Sequence, residues 1–414
     1  MHDAGTACAS LRGMTSNSKL VRYKDRPAVL LQRRALKMAQ SAHAYVRGSA
    51  VQFYEWLETE AGRAVPHGPA IWICGDCHVS NLGPVASSEG HVEIQIRDLD
   101  QTVIGNPAHD LIRLGLSLAT AARGSDLPGV TTARMLEQMM EGYAAALTGG
   151  GRGREPEPPR QIRLVMKDAL RRKWKHLAKE RIEDTRPTIP LGKRFWGLSR
   201  AEAKAIAELF GSEPVRRLIT SVRSRDDDAP VEVVDAAYWM KGCSSLGSLR
   251  YAVLAGIGPP KDESLCLIDI KEAAVAAAPR YPKQAMPRDN AQRIVEGARH
   301  LSPHLGQRML AARLMDKAVF VREMFPQDLK VEIDRLSRGE AMSVARFLGE
   351  VVGRAHARQL KRDTRASWRK ELERSHSKKL DAPSWLWNCI VQLVPSHEAA
   401  YLEHCRRYAL DLPD

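Results

Sequence analysis

The 414-residue sequence predicts an α+β protein in two lobes, one mainly helical and one mainly β. Strand signals are confined to residues 70–98 and 231–324, and helical spacing of apolar residues dominates the rest. The second stretch holds three strands in a row, the last two joined by a hairpin-type turn. A glycine- and proline-rich segment near residue 150 separates the halves.

The elements follow in order. Residues 15–60 read as helix, with KLVRYKDRPAVLLQRRALKMAQSAHAYV passing through Arg47-Gly48 into the amphipathic AVQFYEWLETEA. Ala70 to Cys74 is a short apolar strand. After a loop, His91 to Arg97 alternates Val92, Ile94 and Ile96 with Glu93, Gln95 and Arg97, the period of a half-buried strand, and Asp98-Leu99-Asp100 ends it. Residues 108–147 are helical, and Gly149-Gly150-Gly151 with REPEPPR to Arg160 is the clearest linker. Residues 161–229 form a basic helical stretch without a legible role, in which Ser199 is placed to cap a helix. From Val231 the order is VEVVDAAYWM, the small-residue loop KGCSSLGS, LRYAVLAGI, the turn GPPKDES and LCLIDIKEA. A helix capped near Asp289 or Asn290 follows, with Ile294, Val295, Ala298 and Leu301 on one face, and then a strand AVFVREM. From 341 onward, Val344, Phe347, Leu348, Val351, Val352 and Ala355 return to helical spacing.

A hydrophobic share of 44% and a charged share of 27% belong to an ordinary globular chain. The sequence has neither the run of about 18 apolar residues of a spanning helix nor a secretory signal at its start, so no membrane role and a cytoplasmic location are expected. Seven scattered cysteines read as reduced thiols rather than a disulfide framework. A formal charge of +14 favours anionic partners.

The chemistry begins at a hairpin. If Leu82 to Val85 pairs with Val92 to Ile96 around a turn centred on Glu89-Gly90, Asn81 falls across from Asp98, with Asp76 in the preceding loop. Two carboxylates and a carboxamide oxygen around one point suit Mg²⁺ bound to phosphate oxygens. Other readings compete for the same letters. Cys74-Gly75-Asp76-Cys77-His78 satisfies the CxxCH haem pattern, and the cysteine pair could serve zinc or redox chemistry, but no export signal and no second ligand pair accompany them. GDCH is shared with metallophosphoesterases, whose GNHD segment is lacking. Gly242 to Gly247 is a near miss to a phosphate-binding P-loop, with Ser248 where lysine is required. Arg346, Arg354, Arg358, Lys361 and Arg362 form a basic helix face for solvent or an anion; sparse aromatics disfavour nucleic acid.

Three elements in order carry a resemblance. GDCHVSN at 75–81 matches the GDxHxxN catalytic loop of the aminoglycoside-phosphotransferase and choline-kinase branch of the protein-kinase-like superfamily. Asp98 stands where that branch has its metal-binding Asp, and GNPAHDLIRL at 105–114 looks like the following GDPxxDLA segment. The branch usually has His before the Gly, where this chain has Cys74. The resemblance implies Asp76 as catalytic base, Asn81 and Asp98 as Mg²⁺ ligands and Asp110 as a buried brace, with His78 and Asp100 in support.

That branch also needs a lobe supplying a lysine to the ATP phosphates and a glycine-rich loop above them. It should precede the catalytic loop, but the residues there read as helix. The strands from 231 look like the displaced lobe. The resemblance then makes Lys271 the phosphate-pairing lysine, Gly242, Ser244, Ser245 and Gly247 the cover, Glu296 its ion-pair partner with Glu272 as competitor, and Met324-Phe325 the hinge. The helix ending GRAHARQL resembles the one that leads into the catalytic loop. The expected fold is therefore a circularly permuted, two-lobed kinase-like one. The chain also resembles an uncharacterised bacterial family with CGDxHxxN near its start, KEA in its middle and RAHAR near its end, over residues 30–360.

The resulting layout is a helical catalytic lobe from 15–148 and 331–414, a linker at 149–160, a basic helical segment at 161–230 and a nucleotide-binding β lobe at 231–330. The expected activity is ATP- and Mg²⁺-dependent transfer of the γ-phosphoryl group to a hydroxyl of a neutral or anionic acceptor. An AMP transferase or a catalytically silent nucleotide-binding scaffold on the same fold are the alternatives.

Overall fold

The computed structural model describes residues 21, 23–124, 128–149, 157–171, 188–222, 225–242, 246–259, 263–282, 284–325, 337–373, 376–377 and 380–408. The first helices are α1 (Arg26–Ala39), α2 (Ala42–Gly48), α3 (Ala50–Leu57) and α4 (Glu60–Arg63). Ser41 caps α2 by accepting the Ala44 N–H at 3.1 Å, which satisfies one of the orphan donors of a first turn. Strand β1 (Ile71–Ile73) pairs antiparallel with β4 (Val103–Gly105), and between them lies the hairpin β2 (Leu82–Ala86) and β3 (Val92–Ile96). Helices α5 (Pro107–Gly124), α6 (Gly129–Gly149) and α7 (Arg160–Arg171) follow.

The hairpin register differs from the expected one by one residue. Its loop holds three residues, 88–90, rather than two, with Gly90 at φ +88° and the Ser87 N–H donating to the His91 carbonyl at 2.8 Å. Three-residue hairpin loops use a left-handed residue at this point, which glycine adopts freely. Leu82 therefore faces Ile96, and Asn81 lies opposite Arg97 instead of Asp98.

The β lobe is a six-stranded antiparallel sheet in the order β5-β6-β7-β8-β10-β9. Its strands are β5 (Phe195–Trp196), β6 (Val231–Trp239), β7 (Arg250–Ile257), β8 (Ser264–Glu272), β9 (Met309–Leu314) and β10 (Lys317–Met324). Helices α8 (Arg200–Phe210) and α9 (Glu213–Thr220) precede β6, and α10 (Asn290–Leu301) with α11 (Pro303–Gly306) separates β8 from β9. Ser199 caps α8 in a capping box with Glu202, and Asp289 caps α10. Alternation sends Tyr251, Val253, Cys266, Ile268, Ile270 and Val321 to one face, where they pack on Ile206, Phe210, Val215 and Ile219 of α8 and α9 and on Leu30 of α1. The opposite face carries Trp239, Ala252, Leu254, Leu267 and Met324.

Two expected domain boundaries change as a result. The described residues of the basic segment 161–230 divide between the lobes: α7 packs on the helix Arg338–Ala357 and the hairpin, whereas β5, α8 and α9 belong to the β lobe. Helix α1, assigned to the helical lobe, bridges both, since Leu30 enters the β-lobe core while Tyr401 OH and His404 of the last helix bond its backbone. An amphipathic helix shows which face is apolar but not which surface receives it.

The chain ends in α12 (Arg338–Ala357), α13 (Arg362–Glu373), the short strands β11 (His376–Ser377) and β12 (Leu380–Pro383), and α14 (Ser384–Tyr408). Helix α12 starts on a Ser337–Glu340 capping box. It lies directly against α6, where a Cβ at Gly142 or Gly349 would collide with the backbone carbonyl of Arg346 or Met139. Leu111, Leu114, Met135, Met139, Leu348, Val352, Leu386 and Ile390 fill the helical core around them.

Candidate functional site

The loop after β1 turns sharply because Gly75 sits at φ +75°, and a Cβ there would strike the Gln101 carbonyl. Asp110, fully buried on α5, accepts the N–H groups of Cys74 at 2.7 Å and Gly75 at 2.9 Å. Behind it His356 Nε2 lies 3.1 Å from Asp110, His356 Nδ1 3.0 Å from Tyr143 OH, and Trp368 Nε1 donates to Tyr143 OH at 3.0 Å. A buried chain from α13 through α6 and α12 therefore fixes the loop backbone, with each polar group partnered as burial demands.

Asp76 emerges from this loop. Its Oδ1 accepts from Arg113 Nε at 3.1 Å and also from Nη2, while Oδ2 lies 4.0 Å from His78 Nε2. Burial raises the Asp76 carboxyl above the usual carboxylate range, Arg113 opposes that rise, and Asp98 and Asp110 add to it. Burial and the neighbouring Arg47 and Arg113 push the His78 imidazole well down, so it is neutral.

Asn81 and Asp98 meet through Asn81 reaching along the backbone. Asn81 Oδ1 accepts the Asp98 N–H at 2.6 Å, and Nδ2 donates to the Asp98 carbonyl at 2.7 Å and the Asp76 carbonyl at 3.2 Å. Its carboxamide thus clamps the loop, with one lone pair of Oδ1 left over for the ligand role expected of it. The Asp98 side chain is 57% exposed to the cleft. Lys271, buried on β8, ion-pairs with Asp100 and lies 3.7 Å from Asp98 Oδ1. Partial desolvation inside the cleft resists ionisation of Asp98, but Lys271, Arg322 and Arg250 outweigh it and hold this carboxyl well below the usual range. Burial and the Asp98 charge push Asp100 up to about 6.

Around these groups lies a cleft of about 430 Å³ between the β sheet and the helical lobe. It is large enough for a nucleotide-sized ligand. Among the described residues lining it are seven Lys or Arg (Lys37, Arg47, Arg97, Arg194, Lys241, Arg250 and Arg322) against Asp76, Asp98 and Asp100. Phe195 and Trp239 stack on its sheet side, with Lys241 Nζ 4.2 Å from the Trp239 ring centre.

A family model matches residues 26–407. The chain belongs to that family, described as an uncharacterised protein conserved in bacteria (DUF2252). Comparison of this DUF2252 chain with curated proteins and with solved structures returns no match.

Several expected site residues of this DUF2252 protein lie elsewhere than foreseen. Glu296 is not the partner of Lys271; it faces outward on α10 and pairs with Arg299 and His300 at 3.3 Å each. Glu272 accepts the Leu249 N–H at 2.9 Å and pairs with Lys317. The inward position of α10 is taken by Arg293, 1% exposed, which donates to the carbonyls of Thr102, Asp100 and Ala274. Helical spacing puts 293 and 296 three apart, and the letters alone favoured the acidic residue. Gly242, at φ +104°, and Met324 both line the cleft, and Lys37 Nζ donates to the Gly242 carbonyl at 2.7 Å. Gly247 is at φ +109°; Ser244 and Ser245 lie outside the described residues. Cys74 and Cys77 are wholly buried; burial raises the Cys74 thiol, and at Cys77 a hydrogen bond with Cys74 lowers the thiol while burial and the nearby carboxylates leave it raised on balance.

Sequence reasoning missed a buried ionic cluster on the cleft face of the sheet. Asp269 accepts from Arg250 at 2.8 and 2.6 Å and from Arg322 at 3.1 and 2.9 Å. The pattern was visible as charged residues two apart with Lys271 on one strand face, but only cross-strand register brings Arg250, Asp269 and Arg322 into contact.

Proposed function

We propose that this protein is a cytoplasmic, ATP- and Mg²⁺-dependent phosphotransferase with a circularly permuted kinase-like fold, moving the γ-phosphoryl group to a hydroxyl. The observation that carries the reading is the meeting of Lys271 with Asp98 and Asp100 across the cleft, 171 residues apart for the Lys271–Asp100 pair, beside Asp76. An unpermuted order would place such a lysine before the catalytic loop; here it arrives from behind in sequence. The end of α12 supports the same reading, because Gln359 exchanges hydrogen bonds with Trp72 of β1 at 2.9 and 3.0 Å although the two are 287 residues apart. The helix that would lead into the catalytic loop thus ends beside the strand that begins it.

The residues fit the metal such a reaction needs. Asp98 opens to the cleft and Asp100 Oδ1 is buried without a hydrogen-bond partner, while Asn81 keeps one lone pair. Among the described residues no group of three His, Cys, Asp or Glu forms a metal cage, and Mg²⁺ shared with phosphates requires only one or two protein carboxylates. Bound Mg²⁺ supplies charge neutralisation on the transferring phosphoryl oxygens. Trp239, Ala252, Leu254, Leu267 and Met324 offer an apolar face for adenine, and Lys271 reaches for the phosphates. Asp76, held through one oxygen by Arg113, orients the acceptor hydroxyl with the other and takes its proton.

Incubation with γ-labelled and α-labelled ATP tests the reading. Label from the γ position on an acceptor supports it; label from the α position on an acceptor makes the protein an AMP transferase; ATP binding with neither makes it a scaffold. Asp76→Asn abolishes transfer while ATP–Mg²⁺ still raises the melting temperature, and an active Asp76→Asn protein overturns the assignment.

A further inference from the structure

Beside Asp76, the helical wall of the same cleft forms a cationic recess. Arg47 of α2 lines it together with His78. Val46, the residue before Arg47, accepts from Arg113 Nη2 at 3.0 Å, so the recess adjoins the guanidinium that holds Asp76. Several other cations at the cleft already have partners: Arg250 and Arg322 share Asp269, Lys37 donates to the Gly242 carbonyl, and Lys271 pairs with Asp98 and Asp100. Arg47 makes no ion pair among the described residues, and its Nε is buried with no hydrogen-bond partner. His78, 8% exposed, likewise has its buried Nδ1 unpartnered. Two orphaned nitrogens of this kind cost stability unless a ligand satisfies them.

We infer that Arg47 and His78 form an anion subsite for the acceptor, which therefore carries a phosphate or carboxylate group close to the hydroxyl that is phosphorylated. This rests on the phosphotransferase reading for its chemistry, but the subsite is defined without it. A guanidinium beside a neutral imidazole matches an oxyanion, with Arg47 supplying charge and His78 a hydrogen bond. Lys37, exposed at the cleft mouth, adds attraction at longer range.

Calorimetric binding of inorganic phosphate and of ATP–Mg²⁺ to the full chain at low ionic strength separates the two proposals. The proteins compared are wild type, Arg47→Gln, Arg47→Lys, Lys37→Gln and Lys271→Met. Phosphate affinity is expected to fall at least tenfold in Arg47→Gln, to recover partly in Arg47→Lys, and to change less than threefold in Lys271→Met. ATP–Mg²⁺ affinity is expected to follow Lys271. Phosphate binding that ignores Arg47, or that depends on Lys271 alone, overturns the subsite while leaving phosphotransfer intact. Arg47-dependent phosphate binding in a protein that never binds ATP supports the subsite and defeats the phosphotransferase reading. Should Arg47→Gln not fold, Arg47→Lys keeps the test, because it retains the charge while losing the forked donors, and the subsite predicts weaker phosphate binding there than in wild type. Labelled transfer then compares glycerol 3-phosphate with glycerol, and preference for glycerol also overturns the inference.

Discussion

At the scale of single residues, the pairing of Asp76 with Arg113 sets the chemistry of the site. A buried carboxylate in an apolar setting would stay protonated, and Arg113 counters that tendency without removing it. The base must be ionised to act, so kcat/KM is expected to fall as pH drops through a value above the ordinary aspartate range near 4. In Arg113→Gln the acid limb moves to higher pH, because the charge that favoured ionisation is gone; a pH–rate profile reads this. An unmoved limb would reduce Arg113 to a packing role. Gly75 offers a second residue-scale test. Gly75→Ala places a Cβ against the Gln101 carbonyl in a left-handed conformation, and chemical denaturation should show a loss of about 2–4 kcal/mol. The motif letters GDxH made Gly75 and Asp76 legible in the sequence. Arg113 was not, since a lone arginine in an apolar helix announces nothing until folding buries it against a carboxylate.

At the scale of elements, the site is made where strand ends and helix faces meet. The expected Lys271–Glu296 pair came from the helix that follows β8 in the chain; that helix, α10, packs on β9 and β10, and Glu296 faces outward. Arg293 instead ties α10 to the carbonyls of the 100–102 loop, and Gly297 lets the helix approach Thr102 without a side chain between. Asp100, two residues past Asp98, takes the lysine. Asp100→Asn should therefore lower kcat/KM at least ~10-fold, whereas Glu296→Gln should stay within about twofold. Steady-state phosphotransfer by both variants decides it, and the reverse order would restore Glu296 to the site. Strand β9 escaped notice for a related reason: Met309 to Leu314 is rich in Ala, Leu and Arg, residues that favour helix, and its turn uses Met315 and Asp316 at positive φ in place of Asn-Gly. Pairing with β10 overrode that local preference.

At the scale of the whole molecule, the buried His397 and the half-buried His109 are among the histidines that couple folding to pH. Burial pushes His109 down to about 4 against a weak opposing pull from Asp110, and burial with Arg113 nearby pushes His397 down to about 4. Both are neutral in the fold and protonate more readily in the unfolded chain, whose histidines titrate near 6.5. Stability is thus complete above about 6.5 and is lost as pH falls toward about 4, by up to about 3 kcal/mol for each. The melting temperature should drop across that window in wild type and drop less in a His109→Gln, His397→Gln double variant. A flat wild-type profile would show that acid opens neither region. Among the described residues no helix is long and apolar enough to cross a membrane.

The sequence by itself determined the α+β composition, most of the strand and helix order, and the short segment from Gly75 to Asp100 on which the proposed site rests. Those features rest on interactions between near neighbours: apolar periodicity, caps at Ser199 and Asp289, and turn glycines. The tertiary structure decided the hairpin register, the assignment of α8 and α9 to the β lobe, and the partners of Lys271, Arg113 and Asp269. Each of these depends on which of several chemically competent groups arrives at a given point, and packing between segments far apart in the chain selects it. A sequence states which side chains are available, whereas distance between them is a property of the fold.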